Sequence, residues 1–202
     1  MSILAVVPVK NLDQCKSRLA SVLDGRQRQL LVIFLLVRIV KLLKRAECID
    51  DIILVSRDRR VKRLAASEGI LFFAEKGHSL NTALDQATRW AIDRSYESII
   101  ILPIDLPLLS VEDLINMVKY RRHEGLVVAP DHELNGTNAL LLSPPGILHY
   151  RFGPGSFGLH CRQAREKNIP VRVYRSFRAG FDLDLPEHFF SLLSGMNSKE
   201  CL

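Results

Sequence analysis

Apolar runs of strand length alternate along this chain with amphipathic stretches of helix length. Ile3–Val9 is an unbroken apolar run and reads as a buried strand. Arg26–Ala46 reads as a long helix, apolar around most of its circumference and therefore expected to be well covered. Ile52–Ser56 predicts a second strand, followed by a basic helix near Arg60–Glu68 and a short strand at Leu71–Ala74. Leu80–Asp93 predicts a helix with Ser79 or Asn81 near its start. Ser98–Leu102 is the clearest buried strand. Ser110 then caps a helix over Val111–Arg121, with Asp113 at the third helical position as a capping-box partner. Leu126–Ala129 and Ala139–Leu142 read as strands, Gly158–Lys167 as a helix, and Val171–Tyr174 as a strand. Pro186–Ser194 reads as a closing helix with proline in its first turn.

This alternation predicts an α/β fold, a mostly parallel sheet sandwiched between helices. No repeat or low-complexity segment divides it, so residues 1–194 read as one domain. The polar tail Gly195–Leu202 is expected to be disordered. Ligands of such sheets bind beyond the carboxyl ends of the strands, so the loops there are the candidates for chemistry.

Composition narrows the partners. The chain has 202 residues, 48% hydrophobic and 25% charged, enough to build a single core. Its net charge is +6, yet the cations are dispersed, clustering only at Arg57–Arg60 and Arg121–His123. No nucleic-acid motif accompanies them, so the excess points to small anionic ligands and away from nucleic acid. The longest greasy run, Leu30–Val37, ends at Arg38, far short of the ~20 residues of a spanning helix. No leader segment precedes the first strand, which points away from a membrane and toward the cytoplasm. The apolar helix Leu30–Leu43 could serve a homodimer interface. The four cysteines, Cys15, Cys48, Cys161 and Cys201, form no paired motif and read as free thiols.

Familiar nucleotide signatures are missing: there is no P-loop, no G-x-G-x-x-G after the first strand and no G-x-S-x-G elbow. Five other elements stand at strand ends. Lys10, Lys16 and Arg18 put three cations in the loop after the first strand, suited to a triphosphate. Asp105 follows the strongest strand between Pro103 and Pro107, which hold its backbone rigid, and suits a Mg²⁺ ligand. Asp182 and Asp184, two apart on an extended segment, share a side and could complete that site. Asp184 reads equally well as the cap of the helix at Pro186. Asn135-Gly136-Thr137-Asn138 offers backbone amides, a hydroxyl and a carboxamide to phosphate or carboxylate oxygens. Phe152-Gly153-Pro154-Gly155-Ser156 leads into a helix with His160 in its first turn, the form of a phosphate cradle.

In order and spacing, PVK with KSRL, SLNTAL, LPIDLPLL, APD with GTNALLL, FGPGSFGLH and DLDLP closely resemble one family, from Pro8 to Pro186. It is the 2-phospho-L-lactate guanylyltransferases of coenzyme F-420 biosynthesis, including the members that use phosphoenolpyruvate. The resemblance implies a single glycosyltransferase-A-like, Rossmann-like nucleotidyltransferase domain that condenses GTP with 2-phospho-L-lactate and releases pyrophosphate. Phosphoenolpyruvate and 3-phosphoglycerate are the alternative acceptors, and a non-catalytic nucleotide- or RNA-binding module is the distant one. By the same resemblance Thr137, Gly153 and Ser156 hold the phosphorylated acid, with Asn138 and His160 beside them. Asp105, Asp182 and Asp184 hold Mg²⁺; Lys10, Lys16 and Arg18 hold the triphosphate; Asn81 lies near the nucleoside. Asp105, Lys16 and Arg18 would carry catalysis by neutralising charge. One departure from the wider relatives stands out. The related molybdenum-cofactor guanylyltransferases carry a Gly-rich signature after strand one, whereas no glycine lies between Pro8 and Asp24 here.

Overall fold

The computed structural model describes residues 2–14, 16–77 and 79–197. Seven strands form one sheet in the order β3-β2-β1-β4-β6-β5-β7. They are β1 (Ile3–Pro8), β2 (Asp51–Ser56), β3 (Leu71–Ala74), β4 (Ser98–Ile101), β5 (Gly125–Pro130), β6 (Thr137–Ser143) and β7 (Val171–Val173). The helices are α1 (Gly25–Arg45), α2 (Arg59–Glu68), α3 (Leu80–Ile92), α4 (Val111–Tyr120), α5 (Ser156–Glu166), α6 (Phe177–Gly180) and α7 (Pro186–Asn197). Successive residues of each strand point to opposite faces, which splits the core in two. Ile3, Ala5, Val7, Ile100 and Leu102 pack against α1, α2 and α4 through Leu35, Ile39, Val61, Leu114 and Met117. Leu4, Val6, Ile99 and Ile101 pack against Leu84, Ala87 and Ala91 of α3 and Ala164 of α5. The three-layer reading therefore holds.

Side-chain caps set the helix starts. Asp24 and Gln27 form a reciprocal capping box on α1, Ser110 and Asp113 another on α4, and Asp58 and Ser79 cap α2 and α3. The polar tail departs from expectation, because α7 runs on through Asn197 instead of ending at Ser194. The rest of that tail, 198–202, lies outside the described residues, as do Cys15 and Cys201. Cys48 and Cys161 are free thiols. Helix α1 also departs: Leu35, Leu36, Ile39 and Leu43 are buried, but Leu30, Ile33 and Phe34 are exposed. Among the described residues, none covers the outer side of its first half. Two short 3-10 turns (Leu12–Gln14 and Ser17–Leu19) and the one-turn helix α6 are further additions to the predicted set.

One strand is reversed. β6 pairs antiparallel with both β4 and β5, whereas all other pairings are parallel. Ile99 faces Leu142 and Ile101 faces Leu140, so β6 begins where β4 ends. Its first residues, Thr137 and Asn138, thereby join the carboxyl edge shared by β1, β4 and β5.

Candidate active site

Two groups of predicted residues meet at this edge, around the end of β4. The first is acidic with a lysine at its centre. Chain leaving β1 turns through Lys16, which adopts a left-handed conformation (φ 54°, ψ 37°) at the start of the 3-10 turn that buries Leu19. Beyond β4, the Asp105 carbonyl accepts the Leu183 N–H at 2.9 Å, which ties the two distant acidic segments together. Leu183 is fully buried. On an extended segment its neighbours Asp182 and Asp184 then point the opposite way, toward the edge. Lys16 Nζ lies 2.8 Å from Asp184 Oδ1 and 3.2 Å from Asp105 Oδ2, with the lysine side chain only 7% exposed. Arg18 approaches Asp184 at 3.7 Å from a mostly exposed position. Of the two readings of Asp184, its carboxylate engages Lys16, while its N–H donates to His188 Nδ1 at 3.4 Å. Lys10 is exposed in the same loop.

Electrostatics follow from this geometry. Burial lowers the Lys16 pKa, but the Asp105 and Asp184 charges outweigh it, and the net shift is upward. Burial raises the Asp184 carboxyl, but Lys16 outweighs it and holds the group below its ordinary range. Asp182 is pushed up, first by burial and then by the charges of Asp105 and Asp184. Three carboxylates thus converge with one buried cation. Among the described residues no three His, Cys, Asp or Glu side chains are set around a common metal position. Lys16 stands between two of the carboxylates instead.

The second group is built on the start of β6 and the start of α5. Asp131 accepts from the backbone N–H groups of Asn135 and Gly136 at 2.8 and 2.6 Å and shapes the turn before Thr137. A side chain at Gly136 would collide with that carboxylate. Phe157 N–H donates to the Asn135 carbonyl, joining this turn to the Gly-rich loop. Gly153 (φ 130°) and Gly155 (φ 72°) take conformations that favour glycine, and Ser156, buried, opens α5. His160 is fully buried behind Thr137, its Nδ1 at 3.0 Å from Thr137 Oγ1 and its Nε2 accepting the Arg151 N–H at 3.1 Å.

Two predicted contact residues are committed to the protein itself. The Asn81 carboxamide both accepts from Phe152 N–H (2.9 Å) and donates to the Phe152 carbonyl (3.2 Å). It clamps the Gly-rich loop to the start of α3. Asn138 donates to the Ala179 carbonyl at 3.1 Å and so anchors α6, which leads into Asp182. Sequence reasoning missed a third arrangement. Asp113, read as a cap, also accepts from Tyr174, Ser176 and Arg178, which fastens the chain between β7 and the acidic segment onto α4. Nothing local marks those donors.

With this geometry in view, comparison with known proteins becomes specific. Residues 3–201 match the family model described as "Guanylyl transferase CofC like". The phosphoenolpyruvate guanylyltransferase of Rubrobacter xylanophilus is 41% identical over 189 residues, covering 93% of this chain and 91% of that one. The 2-phospho-L-lactate guanylyltransferase of Methanothermobacter thermautotrophicus is 31% identical, covering 100% and 90%. Among solved structures, a Methanothermobacter nucleotidyl transferase superposes with a TM-score of 0.70 at 14% identity, covering 98% of this chain and 99% of that one. That likeness carries the glycosyltransferase-A-like nucleotidyltransferase fold. Among the described residues no helix is long and apolar enough to cross a membrane. The chain belongs to the CofC-like guanylyl transferase family.

Proposed function

We propose that this protein transfers GMP from GTP to a three-carbon acid phosphorylated at C2, releasing pyrophosphate, as a cytoplasmic step of coenzyme F-420 biosynthesis. Phosphoenolpyruvate is the acceptor put first, because the more similar of the two relatives bears its name. 2-Phospho-L-lactate is the second, named by a relative that covers the whole chain. An acceptor phosphate oxygen attacks the α-phosphorus of GTP. The bond from that phosphorus to the bridging oxygen breaks, and pyrophosphate leaves with the electron pair. The acceptor phosphate is already ionised near neutral pH, so no general base is required.

The difficulty is bringing two anions together. The observation that supports the reading most is the convergence of Lys16 with Asp105 and Asp184 at the carboxyl edge. Asp105, Asp182 and Asp184 form no ready three-ligand cage among the described residues, but one or two of them would hold Mg²⁺, a hard cation that takes one or two carboxylates and fills its octahedron with phosphate oxygens and water. Asp182 is raised first by burial and then by the charges of Asp105 and Asp184, so its own charge is not balanced by Lys16 as theirs are. When bound, Mg²⁺ would neutralise and align the reacting phosphates. Lys16, with Arg18 and Lys10 in the same loop, would orient the triphosphate and stabilise the leaving pyrophosphate. Thr137, Gly153 and Ser156 would bind the acid, supported by their shared edge and by the anion-favouring start of α5. We extend the proposal to a homodimer through the exposed apolar stripe of α1, argued below.

The test is pyrophosphate release from GTP and Mg²⁺ with each acceptor in turn. Release that needs both acceptor and Mg²⁺ is expected. Asp105→Asn should slow it by ~10²-fold or more, the scale of losing a key electrostatic group. Near-wild-type turnover in that variant would remove Asp105 from the reacting centre.

A further inference from the structure

His160 makes no polar contact available to a ligand, yet its two hydrogen bonds determine where its proton sits. A backbone N–H can only donate, so the Arg151 N–H at 3.1 Å requires a bare lone pair on Nε2. Protonating both nitrogens would set an N–H against an N–H, and the fully buried ring has no carboxylate among its hydrogen-bond partners. Burial pushes its pKa down to about 4, which agrees with a neutral ring. A neutral imidazole with a bare Nε2 carries its hydrogen on Nδ1. That hydrogen is donated to Thr137 Oγ1 at 3.0 Å. The edge of the ring is further held by Phe152, with centroids 5.2 Å apart at 69°.

A threonine hydroxyl has one proton. With His160 donating into the oxygen, that proton must leave in another direction. The Thr137 hydroxyl makes no other hydrogen bond to a described residue. We propose that His160 is a positioning residue: held as the Nδ1–H tautomer by the Arg151 amide, it fills one lone pair of the Thr137 hydroxyl and turns the hydroxyl proton outward, toward an anionic oxygen of the acceptor. The selected chemistry is an unprotonated phosphate or carboxylate oxygen, which accepts the proton that His160 leaves unused. The inference rests on the reading that Thr137 contacts the phosphorylated acid. It moves His160 from a contact residue to one that acts through its neighbour.

Two substitutions separate the two bonds. His160→Gln sets a carbonyl oxygen near the place of Nε2, keeping the Arg151 bond without the donor to Thr137. His160→Asn sets an amide N–H near the place of Nδ1, keeping the donor. The acceptor KM is expected to rise about tenfold in H160Q, the scale of one hydrogen bond, with the GTP KM unchanged. H160N should recover most of that loss, and H160Q should add less than about twofold in a Thr137→Val background. An unchanged acceptor KM in H160Q, or independent effects of H160Q and T137V, would overturn the proposal. Nitrogen-15 NMR of the imidazole in the wild-type protein without acceptor gives an independent readout. The Nδ1–H form should persist from pH 8 to pH 5. An Nε2–H tautomer, or a ring titrating near pH 6.5, would overturn the assignment of His160 alone. The expected tautomer together with a silent T137V would instead refute the acceptor placement, and the aimed proton with it.

Discussion

Asp113 is fully buried at the third position of α4 and stays ionised because donors surround it. Ser110 donates through both its backbone N–H and hydroxyl, Tyr174 and Ser176 through hydroxyls, and Arg178 through Nε at 2.8 Å. Burial alone would raise its pKa; the bonds from Arg178, Ser110, Ser176 and Tyr174 outweigh it and hold the group far below the usual carboxylate range. Asp113→Asn keeps the shape but loses the charge that Arg178 answers. It should cost about 3 kcal/mol in urea unfolding at pH 7, the scale of breaking a buried charged pair. The pH dependence has a definite sign. An unfolded aspartate protonates near 3.9, above the folded value, so the contribution is complete above about pH 4 and fades as pH falls toward the folded pKa. The gap between wild type and D113N should therefore be widest above pH 4 and close below it. A gap constant down to pH 2 would mean the network is not what stabilises the charge. From the sequence, Asp113 is legible only as a cap. Its other partners stand 61 to 65 positions further along, where no spacing rule reaches.

At the scale of elements, hydrophobic runs are the readable part, since burial on both faces requires them whatever the topology. Every strand predicted from such a run is present, and β4 with its Asp105 extension stands where the pattern puts it. Strand direction is less direct, because an apolar run reads the same both ways. The connection 131–136 between β5 and β6 carries the missing signal: a parallel crossover needs about a dozen residues or more. Helix α6 left no trace, since a single turn shows no periodicity and is held by Ser176, Asn138 and Arg178. Asn81 shows how an element can carry the site indirectly. It opens α3 in a motif that suggests nucleoside contact, yet its carboxamide closes two bonds on the Phe152 backbone. Asn81→Ala should therefore raise the acceptor KM several-fold and leave the GTP KM within about twofold. Steady-state kinetics with each substrate varied in turn checks this, and a rise confined to GTP would return Asn81 to the nucleoside.

At the scale of the whole molecule, the +6 charge and the apolar surface make different demands. Many cations are answered within the fold, as Arg60 is by Asp58, Arg57 by Glu75 and Lys44 by Glu68. Net charge therefore gives little account of how the protein associates. The first half of α1 is more informative. Leu30 is 58% exposed and Phe34 63%, with Ile33 between them, a spacing that sets all three on one helical face. The same helix is capped by a full Asp24–Gln27 box and seated by its opposite face on the sheet, so the stripe is rigidly displayed. Contiguous exposed apolar surface on an ordered element marks an association site more often than isolated residues do. A second copy meeting the first across this face would cover it symmetrically, the commonest arrangement of homo-oligomers. Light scattering coupled to size exclusion should give a dimer mass for the wild-type protein. Leu30→Glu with Phe34→Glu should shift it to the monomer with circular dichroism unchanged, because neither side chain contributes to the buried core. A wild-type protein that is monomeric at tens of micromolar would leave the stripe without a partner copy and withdraw the homodimer.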